Sequence, residues 1–140
     1  MPRVSVSREL LASRDDVWAF LADPSRFSDW WPGVAAVTPD RLGLAPGGRW
    51  QLHGVDRPTL RRQATSSGLL LVREVVTGER VAWTMTGDHV DAELRLAANG
   101  PDRTIVVLEV DAPWFSGIRR GLARRALTRL HARCRASDPT

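Results

Sequence analysis

The sequence predicts one α+β domain in which a curved, seven-stranded antiparallel sheet wraps a long C-terminal helix. Three observations predict it. The middle of the chain is a run of short alternating apolar and polar segments joined by turn residues. A long helical stripe occurs once, from Trp114 to about Ala136. Two short stretches with helix start signals lie between the first strand and the rest.

The elements follow in order. Arg3 to Leu10 puts Val4, Val6 and Leu10 on one face, the period-2 pattern of a half-buried strand. Ser13 reads as an N-cap, with Asp16 three residues on as in a capping box. Val17, Phe20 and Leu21 then share one face of a short helix. Asp23-Pro24 stops it, because the residue before proline avoids the helical region. Ser25 is expected to cap a second short helix carrying Phe27, Trp30 and Trp31, ended by Pro32-Gly33.

Six strands are expected next: 35–42, 49–53, a long one over 60–76 bulged near Gly68, 81–85, 89–96 and 104–110. Their turns are Pro46-Gly47-Gly48, Asp56 to Thr59, Thr77 to Arg80, Gly87-Asp88 and Asn99 to Asp102. Short strands joined by tight turns indicate an antiparallel meander and not βαβ units. In the last segment Phe115, Ile118, Leu122, Ala126, Leu130 and Cys134 form the apolar stripe. Arg119, Arg120, Arg124, Arg125, Arg129 and Arg133 occupy the other sides. That helix would be roughly 33 Å long at about 1.5 Å per residue. Residues 1–136 are expected to form the domain, with Ser137 to Thr140 as a frayed tail.

A cavity follows from this order. A broad sheet has one apolar face to bury, and a helix about 10 Å wide cannot cover it if the sheet stays flat. The sheet must curl around the helix, leaving space between the two. Apolar clefts of this kind are the usual small-molecule sites.

Composition narrows the partners. With 43% hydrophobic residues, 140 residues can build a core without a disulfide or metal staple. The one cysteine, Cys134, excludes an internal disulfide, and with three scattered histidines it leaves no set of zinc ligands. No metal and no cofactor are expected. No stretch has the roughly 18 to 20 apolar residues of a membrane span. Met1 to Ser5 has no apolar h-region, so a cytoplasmic location is the default expectation. All 20 basic residues are arginines, but the net charge of +4 is diluted by 16 acidic residues, so nucleic acid is not an expected partner. The arginine-rich side of the last helix, Arg119 to Arg135, allows peripheral contact with a membrane surface or an acidic partner. A solvated face is the simpler account of it.

The opening, from Ala12-Ser13-Arg14-Asp15-Asp16-Val17-Trp18 through Asp23-Pro24 to Trp30-Trp31-Pro32-Gly33, resembles the START-like, or SRPBCC, superfamily. Val72 to Trp83 is similar to that superfamily's middle hairpin, and Gly100 to Thr104 to its approach to the last strand. Within it the chain looks nearest to the polyketide cyclase/dehydrase and lipid transport group. The resemblance covers nearly the whole chain and implies a helix-grip fold. It also implies a role among aromatase/cyclases and binders of lipids or quinones, and carries over no catalytic motif.

The expected function is binding of a small hydrophobic molecule, such as a polyketide, lipid, isoprenoid or aromatic metabolite, between sheet and C-terminal helix. The alternatives are a metal-free cyclase or dehydratase, and a protein-interaction module in stress or toxin–antitoxin biology that uses the arginine helix. Candidate lining residues are Trp50, Leu52, Trp83, Met85, Val90, Ala92, Leu94 and Leu108 from strands, and Phe115, Ile118 and Leu122 from the last helix. All of these equally suit an ordinary core. Trp50 and Trp83 are the strongest, since a large ring on a concave sheet can flank a flat ligand. Trp30 and Trp31 are candidates for the cavity mouth. His53, His89 and His131 have no neighbouring partner in sequence. Glu74 and Glu109 would turn inward if their strands slipped by one residue.

Overall fold

A computed structural model describes residues 3–31, 34–54, 67–86, 90–111 and 120–136. The chain runs β1 (Arg3–Leu10), α1 (Arg14–Leu21), a 3-10 turn (Pro24–Arg26), α2 (Phe27–Trp30), β2 (Val34–Thr38) and β3 (Arg49–Gly54). It continues through β4 (Ser67–Val76), β5 (Arg80–Met85), β6 (Val90–Ala98), β7 (Thr104–Asp111) and α3 (Arg120–Ala136). The seven strands form one antiparallel sheet in the order β1-β7-β6-β5-β4-β3-β2. This is the helix-grip arrangement. The expected strand over 60–66 and the Asp56–Thr59 turn lie outside the described residues, as does the last helix before Arg120.

Local chemistry explains the short helices. Ser13 caps α1, its Oγ accepting from Asp16 N–H at 3.1 Å. The expected cap at Ser25 is corrected. Asp23 caps the 3-10 turn, accepting from Ser25 N–H at 3.1 Å and from Ser25 Oγ–H at 2.7 Å. A carboxylate one residue before proline is already in extended geometry, so it reaches the turn's free N–H groups first. Those bonds, the Ser25 hydroxyl first, hold the Asp23 carboxyl below its ordinary range.

Register places the concave face. Val4, Val110, Ala92, Trp83 and Val72 make one cross-strand row, and Val6, Leu108, Leu94, Val81 and Val75 the next. Val72 and Val75 are an odd number of residues apart. A bulge between Val72 and Glu74 inserts Arg73 and lets both valines face inward. The same bulge turns Glu74 outward, where it meets Arg80 at 3.1 Å. Glu109 also faces outward, 3.7 Å from Arg95. With Glu93 these groups form a charged ladder on the convex face, each exposed pair contributing at most about 1 kcal/mol.

Helix α3 packs on β1, β7 and α2. Ala123, Ala126, Leu127, Leu130 and Cys134 are its buried residues, and the alanines let it sit close to the sheet. The one buried polar residue in this part, Thr104, donates its hydroxyl to Ala12 O at 2.8 Å. None of the described helices is long and apolar enough to cross a membrane.

Candidate functional site

Opposite β3, β4 and β5 the inner layer is α2, a single helical turn. Large rings fill the space between it and these strands. Phe27 is the hub. It stacks on Trp31 at 5.6 Å and meets Trp30, Trp50 and Trp83 edge-on at 5.5, 6.0 and 5.9 Å. Trp31 meets Trp83 edge-on at 5.7 Å. Such pairs add about 0.5–1.5 kcal/mol each beyond the area they bury.

Flat rings do not tile this space completely. A narrow cavity of about 20 Å³ remains, lined by Leu21, Phe27, Trp30, Leu44, Trp50, Leu70, Val72, Val81 and Trp83. That is room for about one water molecule. Every lining side chain is aliphatic or aromatic, so none carries a hydrogen-bond acceptor or a titratable group. Leu44 covers one side from the 39–48 loop between β2 and β3.

That loop is fastened by backbone and carboxylate together. Asp40 accepts from the N–H groups of Leu42, Gly43 and Arg49 at 3.0, 3.3 and 2.9 Å. These bonds, the Arg49 N–H first, hold its carboxyl below the ordinary range. Gly43 O turns inward and accepts from Trp50 Nε1 at 3.0 Å. Gly48 permits this fold, since a Cβ there would lie 2.6 Å from Gly43 O.

Trp50 and Trp83 therefore differ. The Trp50 indole N–H has Gly43 O, whereas the buried Trp83 Nε1 has no partner among the described residues. An unpaired buried donor costs about 1–3 kcal/mol.

Of the strand candidates, Trp50 and Trp83 line this cavity. Leu52, Met85, Val90, Ala92, Leu94 and Leu108 are buried on the concave face but belong to the surrounding core. Trp30 and Trp31 are corrected from a mouth position. They are 2% and 3% exposed, because Phe27, Trp30 and Trp31 pack against one another in a triangle of rings, each pair of centroids 5.5 or 5.6 Å apart. Phe115 and Ile118 lie outside the described residues, as does the side chain of Leu122. The location also shifts. The described lining comes from α1, α2, the 39–48 loop and β3 to β5, and not from α3. Leu21, Phe27, Leu44, Leu70, Val72 and Val81 line it without having been among the candidates, and Leu44 is the hardest of them to read from sequence. A lone leucine between turn glycines has no periodicity to reveal it.

Other candidates take structural positions. His53 is exposed on the outer side of β3, 3.1 Å from Thr38 Oγ1, and His89 lies outside the described residues. His131 is half-buried on α3. Burial, and then the nearby Asp16 carboxylate, push the Cys134 thiol up to about 12, so it stays protonated. A wider groove of about 500 Å³ lies between α1 and the end of α3, where Asp16, Asp23 and Asp102 make its walls polar. Arg124, Arg125, Arg129 and Arg133 are exposed on α3. Among the described residues no cluster of His, Cys, Asp or Glu is placed to hold a metal ion.

Comparison with known proteins places this geometry in context. The family model described as polyketide cyclase / dehydrase and lipid transport matches residues 1–136. A search of curated proteins found no significant match. Among solved structures the chain is similar to the protein XoxI from Bacillus cereus, at 11% identity and a TM-score of 0.73, covering 100% of both chains. It is similar to a START superfamily protein from Mycobacterium smegmatis, at 14% identity and a TM-score of 0.71, covering 96% of this chain and 97% of that one. It also resembles norcoclaurine synthase from Thalictrum flavum, solved with dopamine and hydroxybenzaldehyde, at 12% identity and a TM-score of 0.68, covering 99% and 89%. At these identities the likeness is one of fold.

Proposed function

The chain belongs to the polyketide cyclase/dehydrase and lipid transport family, and from that premise we propose that it binds a small hydrophobic molecule in the aromatic cavity between α2 and β3 to β5. A polyketide, lipid, isoprenoid or aromatic metabolite would suit it. The observation that carries the reading is the lining itself, three tryptophans and a phenylalanine around apolar space. Rings in this arrangement can exchange contacts with one another for contacts with a flat apolar guest. The fold relatives support a ligand-binding domain of the START type.

At about 20 Å³ the cavity is far below the roughly 300–1,000 Å³ of small-molecule sites. Binding therefore requires the lining to part. The 39–48 loop is the element suited to move, since it sets Leu44 against the rings and between Asp40 and Ala45 is held by exposed bonds to Asp40 and by Trp50 Nε1–H, while Gly47 and Gly48 stay tied to Val72. With a lining of aliphatic and aromatic side chains, what this site does is exclude water and orient its guest.

Native mass spectrometry after mild purification tests the reading, together with thermal shifts across a hydrophobic library. A guest at about one hundred times its Kd stabilises the fold by about 2.7 kcal/mol, which raises Tm by several degrees. Absence of any copurifying molecule and of any shift across the library would sink it.

A further inference from the structure

Trp83 lines the cavity, and its buried indole N–H has no partner among the described residues. The residue is 3% exposed. The neighbouring Trp50 shows how this fold pairs such a group when the chain supplies the acceptor, through Gly43 O at 3.0 Å. Trp83's contacts with Phe27, Trp30 and Trp31 come from the ring system and make no use of the N–H. Phenylalanine would keep an aromatic face there without burying a donor. None of the described lining side chains carries an acceptor, which leaves this donor for a guest to pair.

We infer that the guest of this cavity carries a neutral hydrogen-bond-accepting oxygen, a ketone, ester or quinone carbonyl, which Trp83 Nε1–H binds. The inference rests on the ligand-binding reading above and adds the chemistry that selects the ligand. The oxygen is uncharged because no cationic side chain lines the cavity, and an unpaired carboxylate in apolar surroundings is strongly disfavoured. Fatty-acid-like anions are thereby excluded, and pure hydrocarbons bind without the anchoring bond. The donor also sets the guest's direction, with its carbonyl toward β5 and its apolar body among the α2 rings.

Three probes of one shape test this. Acetophenone carries the carbonyl, α-methylstyrene replaces its oxygen by a methylene, and benzoate carries a charge. Each is titrated by calorimetry into the whole protein and into Trp83→Phe, whose folding is checked by circular dichroism. In the unmodified protein acetophenone is expected to bind roughly tenfold tighter than α-methylstyrene, the size of one buried hydrogen bond. Benzoate is expected not to bind measurably. In Trp83→Phe the ratio of the two neutral probes' affinities is expected to fall to about one. The indole N–H resonance of Trp83 in the unmodified protein supplies a readout independent of the variant. It shifts with acetophenone and stays nearly still with α-methylstyrene. Equal affinity for the two neutral probes, a preference that survives Trp83→Phe, or benzoate binding as tightly as the ketone would overturn the anchor and leave the cavity reading standing. Binding of neither neutral probe would overturn both.

Discussion

Where α3 lies on β1 and β7 the core is aliphatic, and where α2 faces β3 to β5 it is aromatic and keeps a narrow apolar cavity. The two ends share one sheet and differ in what covers it. The buried side chains described on α3 are alanines, leucines and Cys134, whereas the single turn of α2 presents large rings that pack edge-on and leave space between them. The polar groups follow the same division. Thr104 at the aliphatic end has its acceptor, while Trp83 at the aromatic end lacks one among the described residues. The proposed guest site lies at the aromatic end.

The largest expected effect tests whether the aromatic end is also structural. Phe27→Ala removes the ring that four tryptophans touch, and should cost about 3–5 kcal/mol in urea unfolding. A loss below about 1 kcal/mol would mean that the tryptophans close the gap unaided.

Overpacking separates the two ends more directly. Ala126→Leu, at a position with no exposed surface, should cost about 1–3 kcal/mol because the helix must lift from the sheet. Val81→Ile at the aromatic end adds one methyl beside the cavity. It should be neutral or stabilising by up to about 0.8 kcal/mol in the same measurement, while weakening acetophenone binding. Equal penalties at both sites would erase the distinction.

The smallest effect concerns the loop. The folded pKa of Asp40 lies below the ordinary carboxylate value, so its contribution is complete above the unfolded pKa and is lost as pH falls through the folded one. The amide resonances of Leu42, Gly43 and Arg49 should shift together in that acidic window. Asp40→Asn, which does not ionise, should abolish the shift. Independent titration of the three amides would mean that the carboxylate does not fasten the loop.

Much of the site was legible in the chain, though not its membership. Trp50 and Trp83 announced themselves as large rings on alternating strands, and both line the cavity. Trp30 and Trp31 were placed at a mouth because adjacent residues on a helix point apart. Only the packed form shows that the two rings still meet each other and Phe27, which keeps both inside. Leu44 enters the lining because Asp40, Gly43 and Gly48 fold its loop back, a matter of hydrogen bonding that periodicity does not express.

The amino-acid sequence by itself determined the strand alternation, the Ser13 cap, the stripe of α3 and so the grip of sheet on helix. Each depends on residues a few positions apart, where period and capping chemistry act. Tertiary structure alone decided that the Arg73 bulge turns Glu74 outward, that the cavity opens beneath α2, and that Trp83 is left without a partner among the described residues. These depend on the distance between layers and on which groups meet across tens of residues, and packing sets both only once the whole chain has closed.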